Sequence, residues 1–149
     1  MRAVVQRVRE AAVEVEQDTV GRIGHGFLVY VGICAGDEDA DCQYIAQKIA
    51  GLRAFEDEQG KMNLPISDVE GSVLLVSQFT LCGDCRKGRR PDFFAAAPPG
   101  DANALYLAVA QQLRNAGITV RAGRFQADMQ VYSINDGPVT LLLDSRKTF

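Results

Sequence analysis

The chain has a single histidine, His25, and that scarcity narrows its chemistry more than any motif does. A Ser-His-Asp or Cys-His arrangement would rest on this one residue, set between two glycines in the turn-rich stretch Gly21 to Gly26. A lone histidine in such a turn reads as a surface residue before it reads as a catalyst. Cysteine is sparse too: Cys34, Cys42, Cys82 and Cys85. Only Cys82 and Cys85 have CxxC spacing, and with no second pair to complete four ligands a structural zinc site is disfavoured. No apolar run approaches the roughly 20 residues of a membrane-spanning helix. The opening Met1-Arg2-Ala3-Val4-Val5-Gln6-Arg7 is broken by charge before any apolar core forms, unlike a signal peptide. A cytosolic location with reduced thiols and no membrane partner is the expectation. No glycine-rich phosphate loop is present, so neither cofactor nor metal is expected.

What remains is ordinary in bulk. At 149 residues, 47% of them hydrophobic and 23% charged, the chain suits one domain, residues 1–149, with a real core. The net charge of -3 gives no general attraction to nucleic acid, and no DNA partner is expected. One local exception stands out. Arg86-Lys87-Gly88-Arg89-Arg90 puts four cations in five residues, either as a solvated loop or as a phosphate contact.

The patterning predicts many strands and two helices. Arg2 to Val8 and Ala11 to Glu16 read as the two strands of a hairpin, the second alternating more cleanly than the first. Phe27 to Ile33 is almost continuously apolar and suits a central buried strand. Cys42, Ile45, Ile49 and Leu52 recur at helical spacing after the turn and N-cap residues Gly36 to Asp39. Arg53 to Phe55 and Lys61 to Leu64 flank a polar hairpin loop. Gly71 to Leu81 is β-rich and apolar until polar residues enter at Ser77. Pro91 to Gly100 is a loop, after which Asp101 caps a helix that runs to Asn115 and closes at Gly117. Ile118 to Ala122, Met129 to Ile134 and Val139 to Leu143 complete the strands. Without a regular βαβ repeat, this gives a mixed α/β domain: a curved, mostly antiparallel, barrel-like sheet covered by two helices.

Two short stretches do not fit a purely structural account. Asn135-Asp136-Gly137-Pro138-Val139-Thr140 puts Gly-Pro between strands where a plain hairpin would use Asn-Gly or Asp-Gly. Proline lacks an N–H, so this pair either turns a corner or presents bare carbonyls for a purpose. Ser77-Gln78-Phe79-Thr80-Leu81 puts functional groups at the end of a rigid strand. Ser77, Thr80 and Cys82 are candidate nucleophiles, yet none has an evident base. An enzyme built this way would work through backbone amides, hydroxyls and the substrate's own groups.

Together the two stretches resemble the signature motifs of the D-aminoacyl-tRNA deacylases. The resemblance runs almost end to end. It takes in MRAVVQRV, Leu28 to Gly32, Phe55-Glu56-Asp57, Lys61 to Leu64, Gly83 to Phe93 and Gly123-Arg124-Phe125. It departs at Gln126, where glycine is expected, and at Cys82, where an aromatic is common. It implies a homodimeric carboxylic ester hydrolase that frees D-amino acids from the 3′-terminal adenosine of tRNA. By the resemblance, Ser77, Gln78, Phe79 and Thr80 hold the ester, and the ribose 2′-hydroxyl assists the attacking water. A cis Gly137-Pro138 bond, together with Asn135, is inserted from the partner subunit, and its carbonyls exclude L side chains. An achiral glycyl ester would escape that exclusion. Phe125 and Met129 flank the adenosine, Ala102 lines the pocket, and Arg86, Lys87, Arg89 and Arg90 become phosphate contacts. Thr80 ranks as a positioning residue rather than a nucleophile. A nucleic-acid-binding module without turnover and a small-molecule esterase of the same fold are the alternatives.

Overall fold

The computed structural model describes all residues, 1–149. In chain order the strands are β1 (Arg2–Val15), β2 (Asp18–Ile23), β3 (Gly26–Gly32), β4 (Phe55–Glu56), β5 (Met62–Leu64), β6 (Ser72–Ser77), β7 (Thr119–Ala122) and β8 (Gln130–Asp144). The helices are α1 (Asp39–Gly51) and α2 (Pro99–Asn115), and 3-10 turns occupy Ile66–Val69 and Phe79–Cys82. No helix is long and apolar enough to cross a membrane. Six strands form one sheet in the order β2-β1-β3-β6-β7, with β8 along the other side of β1, while β4 and β5 pair separately. The β1 pairings with β2, β3 and β8 are antiparallel; β3–β6 and β6–β7 are parallel. The sheet is therefore mostly antiparallel, as expected, but each helix lies in a crossover between parallel neighbours. The short β4–β5 hairpin within the first crossover hides that βαβ pattern in the sequence.

The expected hairpin at the start of the chain is one continuous strand. Ala3 and Val5 pack into the core beneath the helices, whereas Val8, Ala11 and Val13 pack into a second cluster with Ile23, Leu28, Leu74 and Val76. The switch of face falls at Arg9, an extra residue between Val8, which pairs with Asn135, and Glu10, which pairs with Ile134. A bulge of this kind bends a strand and resets its alternation, so β1 looks like two strands in the sequence. The true hairpin partner is β2, which uses Gly21 to Ile23 of the stretch expected to be turn. In β3, Phe27, Val29 and Val31 face the helices and Leu28 faces the second cluster, which accounts for a run apolar on both faces.

The expected two strands around Gly137-Pro138 are also one strand, β8. Five residue steps from Asn135 to Thr140 oppose only two on β1, from Val8 to Gln6, so the motif stands out as a wide bulge. β8 pairs only with β1, and its other edge is open.

α1 begins as expected, with a capping box between Glu38 and Asp41. α2 begins two residues before Asp101, with Pro99 in its first turn, so Asp101 is a first-turn acid rather than the cap. At the base of the fold, the Met1 ammonium is buried against Asp37 Oδ1 at 2.7 Å and Ser145 Oγ at 2.8 Å. Nearby, the Asp144 carboxylate accepts from the Arg146 N–H at 2.9 Å and from the Thr148 hydroxyl.

Candidate active site

The parallel strands β3 and β6 end side by side, and a cavity of about 560 Å³ opens beyond their carboxyl ends. That is where ligands bind in parallel sheets, because the loops diverge there and leave a crevice. Its wall includes Val76, Ser77, Gln78 and Phe79 from the end of β6, and Pro99 and Ala102 from the start of α2. Phe125 to Met129 supply the opposite side. Ser77, Gln78, Phe79, Ala102, Phe125 and Met129 thus line one cavity, although the sequence separates them by up to 52 residues.

The catalytic candidates sit on a braced turn. The Gln78 N–H donates to the Val31 carbonyl at 2.8 Å, carrying the sheet ladder one residue beyond β6. The 3-10 turn then starts at Phe79, where the leading main-chain N–H groups have no partner earlier in the turn. Gly32 makes this approach possible: a Cβ there would lie 2.8 Å from both the Gln78 oxygen and Leu81 Cβ. Arg2 Nη1 holds the far end through the Leu81 carbonyl at 2.9 Å. Thr80 is not part of the cavity lining; it is exposed after Phe79, and its hydroxyl oxygen accepts from Gln78 Nε2 at 2.6 Å. Its hydrogen-bond partner is thus an amide donor rather than a base.

His25 is not available to that turn. It precedes β3 at the end where Gly26 pairs with Ser72, a full strand away from Ser77, or roughly 16 Å. Its ring instead meets Phe55 edge-on at 5.0 Å. Two hydrogen bonds set the opposite wall. The Leu75 carbonyl accepts from the Gly123 N–H at 2.9 Å and from the Tyr106 hydroxyl at 2.8 Å. Tyr106 in turn lies against Phe125, with ring centroids 6.0 Å apart. Burial pushes the Tyr106 phenol up to about 12, so it remains a neutral donor.

Asn135, Gly137 and Pro138 lie away from this cavity, on the β8 bulge. The Gly137-Pro138 bond is cis. Asn135 Oδ1 accepts from the Val139 N–H at 3.1 Å, and its Nδ2 donates to Thr140 Oγ1 at 3.1 Å, so the side chain spans the bulge. Arg7 supports the bulge from below. It is buried (5% exposed), donates from Nη1 to the Ala54 carbonyl at 2.8 Å, and approaches Glu56 at 3.5 Å. An arginine within a valine-rich strand looks solvent-facing, so the burial of Arg7 is not evident from the sequence. Its only signal was that Arg7 shares the Ala3 and Val5 face.

The basic cluster is divided. Arg86 pairs with Asp84, with Nη2 2.6 Å from Oδ2, and this ion pair holds the Asp84 carboxyl well below its usual range. Lys87, Arg89 and Arg90 are exposed and make no ion pair. The cysteines correct the expectation of four reduced thiols. Cys34 and Cys82 form a disulfide joining the chain just after β3 to the end of the Phe79–Cys82 turn, and this also removes Cys82 as a nucleophile. Spacing hides the bond, since 48 residues separate the two. Cys85 is free and exposed, so the CxxC pair does not act as a unit. Cys42 is free and buried; burial and nearby acidic groups push its thiol up to about 11. No group of three or more His, Cys, Asp or Glu side chains is placed to hold a metal ion. Gln126 and Asp128 also line the cavity and were not anticipated as site residues; Gln126 carries a positive φ of 59°.

Fold and site together define a small mixed α/β protein with a largely apolar cavity beyond two parallel strands, into which Ser77, Gln78, Gln126 and Asp128 bring the polar groups. Residues 4–144 match the family model described as D-Tyr-tRNA(Tyr) deacylase. A protein of Thermotoga petrophila called D-aminoacyl-tRNA deacylase is 57% identical over 149 residues, covering 100% of both chains. One of the same name from Heliobacterium modesticaldum is 60% identical over 146 residues, covering 98% of this chain and 97% of that protein. The solved structure of the c-Myc DNA unwinding element binding protein superposes with a TM-score of 0.91 at 40% identity, covering 97% and 98% of the two chains. A probable eukaryotic D-amino acid tRNA deacylase shares the fold, with a TM-score of 0.81 at 20% identity and coverage of 95% and 97%. The chain belongs to the D-Tyr-tRNA(Tyr) deacylase family.

Proposed function

We infer that this protein hydrolyses the ester linking a D-amino acid to the 3′-terminal adenosine of tRNA, releasing the free amino acid and a tRNA with its 3′-hydroxyl restored. The carrying observation is the cavity in which Ser77, Gln78 and Phe79 face Phe125 and Met129. Polar groups that could hold an ester lie across from an aromatic and a thioether suited to a nucleobase. Water attacks the ester carbonyl, and main-chain N–H groups of the turn that begins at Phe79 receive the developing oxyanion. Preorganised donors of this kind are each worth roughly 3–4 kcal/mol. Thr80 orients the ester rather than attacking it, in keeping with its amide partner Gln78. The ribose 2′-hydroxyl assists the attacking water.

Selection against L substrates falls to Gly137 and Pro138 of a second copy. Their bulge stands on an open sheet edge where Tyr132, Ile134 and Leu142 are at least half exposed, an apolar strip suited to a homodimer. Backbone placed where an L side chain would project rejects every L-amino acid alike, whatever its chemistry. Glycine has no side chain to reject, so a glycyl ester is also cleaved. Arg86, Lys87, Arg89 and Arg90 serve the tRNA phosphates, Arg86 less directly because Asp84 engages it. A cytosolic setting belongs to the same reading.

The experiment is deacylation of D-, L- and glycyl-tRNA side by side, with a free D-amino-acid ester as a fourth substrate. Hydrolysis of the D- and glycyl-tRNA alone supports the assignment. Turnover of the free ester at a similar rate would favour a small-molecule esterase. The similarity to the c-Myc DNA unwinding element binding protein favours a second reading, a nucleic-acid-binding module; salt-sensitive binding without ester turnover would select it.

A further inference from the structure

Phe94 is 94% exposed, the most open of the large apolar side chains, and it is held rather than loose. Its N–H donates to Asp92 Oδ1 at 2.7 Å, and two main-chain bonds between Asp84 and Asp92, at 2.7 and 3.0 Å, close the neck of the segment before it. That segment is a finger carrying the three unpaired cations Lys87, Arg89 and Arg90. The chain leaving its carboxyl end is fastened beside the cavity. Phe93 packs edge-on against Phe79 at 5.2 Å, and the Ala95 carbonyl accepts from the Ala35 N–H at 2.8 Å. Ala96, two residues beyond Phe94, is already in the cavity wall. Two residues of chain span at most about 7 Å, so the Phe94 backbone lies within that distance of the wall residue Ala96, with its ring in solvent.

We propose that this finger receives the single-stranded RNA immediately upstream of the terminal nucleoside, with Phe94 stacking on a base and Lys87, Arg89 and Arg90 holding the adjoining phosphates. The proposal rests on the reading above, that the cavity takes the 3′-terminal adenosine. An RNA strand leaving the cavity past Ala96 meets the aromatic ring first and the cations next. An aromatic platform flanked by positive charge is how proteins hold single strands without reading their sequence. On a chain of net charge -3, three cations without an ion pair within four residues of one another, next to the cavity, make a local patch that a polyanion would favour. This surface would let the enzyme act on many tRNAs that share a single-stranded 3′ end.

The test compares two substrates, D-tyrosyl-tRNA and the D-tyrosyl ester of adenosine alone, which lacks the upstream strand. Phe94→Ala is expected to raise KM for the tRNA about tenfold with kcat retained, and to leave KM for the adenosine ester unchanged. Phe94→Trp should restore the tRNA value. Combining Lys87→Ala with Arg90→Ala should flatten the salt dependence of KM for the tRNA. Equal KM values for wild type and Phe94→Ala on the tRNA would overturn the proposal. So would equal losses on both substrates accompanied by dissociation in sedimentation, which would make Phe94 an assembly contact. If wild type cleaves neither ester, the deacylase reading itself falls; if it cleaves both with the same KM, only the finger loses its role.

Discussion

Arg7 Nε lies 3.2 Å from the Asp136 carbonyl oxygen and 3.4 Å from Asp136 Oδ2, so one buried guanidinium holds both the backbone and the side chain of the residue before Gly137. The other end of the same group is pinned by Ala54. A bulge on an open strand edge would otherwise have several orientations, and this contact selects one. Arg7→Met keeps the apolar stem and deletes the hydrogen bonds. The expected result is a loss of about 1–3 kcal/mol of stability in urea and a D-over-L selectivity reduced about tenfold. Selectivity equal to wild type would separate Arg7 from the gate.

Gly137 has φ +123°, a conformation that side chains disfavour, and an added Cβ would lie 3.0 Å from both Arg7 Nη2 and Val139 Cγ2. Gly137→Ala should therefore cost about 1–2 kcal/mol and displace the bulge. Hydrolysis of L-tyrosyl-tRNA should rise relative to the D-isomer, read from initial rates on the two. Unchanged D-over-L selectivity would sink the gating role.

Thr80→Ala should retain measurable hydrolysis of D-aminoacyl-tRNA, slowed by about one to two orders of magnitude through lost positioning. A nucleophile would behave otherwise. Complete loss, together with an acyl-enzyme trapped on wild type in rapid quench and mass spectrometry, would restore Thr80 to that role.

The Cys34–Cys82 bond closes a long loop and anchors the Phe79–Cys82 turn to the chain leaving the central strand β3. Its reduction, or Cys34→Ser, should lower stability by about 2–4 kcal/mol in urea, with Cys42→Ser as a control that leaves the bond intact. Activity should survive dialysis against EDTA. A loss reversed by zinc would instead bring the Cys82 and Cys85 thiols back as ligands.

Burial pushes the Asp144 carboxyl up, but the Thr148 hydroxyl, the N–H groups of Arg146 and Thr148 and the terminal ammonium outweigh it, leaving the group below its ordinary 3.8. Between the folded and unfolded values the unfolded chain binds the extra proton, so stability falls as the pH drops through that window. The contribution is full above about pH 5 and fades below about pH 4. The urea midpoint of Asp144→Asn should fall less between pH 5 and pH 3 than that of wild type. Equal slopes would show that other carboxylates govern the acid limb.

Much of this architecture is legible from residues alone, and the failures share a cause. α1 and α2 announce themselves because Cys42, Ile45 and Ile49, and likewise Val109 and Leu113, recur on a face that the structure buries. β1 and β8 are misread because bulges at Arg9 and around Gly137 break the alternation by which a strand is recognised, without ending the strand. Both bulges arise from pairing between the two ends of the chain, and local pattern carries no trace of it. The cavity wall was anticipated at Ser77 to Phe79, Ala102, Phe125 and Met129 through family resemblance rather than periodicity. Arg7 and the Cys34–Cys82 bond depend on neighbours distant in sequence, which leave no mark on the residues beside them.

β8 is fifteen residues long and hydrogen-bonds on one side only. An unpaired edge of that length is a template on which other extended chains can grow. Proline at position 138 contributes no N–H, and the bulge around it throws the flanking segments out of register. The edge therefore offers two short ladders instead of one long one, each too brief to seed a continuous cross-strand stack. The segment proposed to police the handedness of amino acids would, on this account, also guard the protein against its own aggregation. Conditions that dissociate the proposed homodimer into single copies should then reveal a second phenotype in Pro138→Ala, visible as fibrillar or amorphous precipitate rather than as an altered rate.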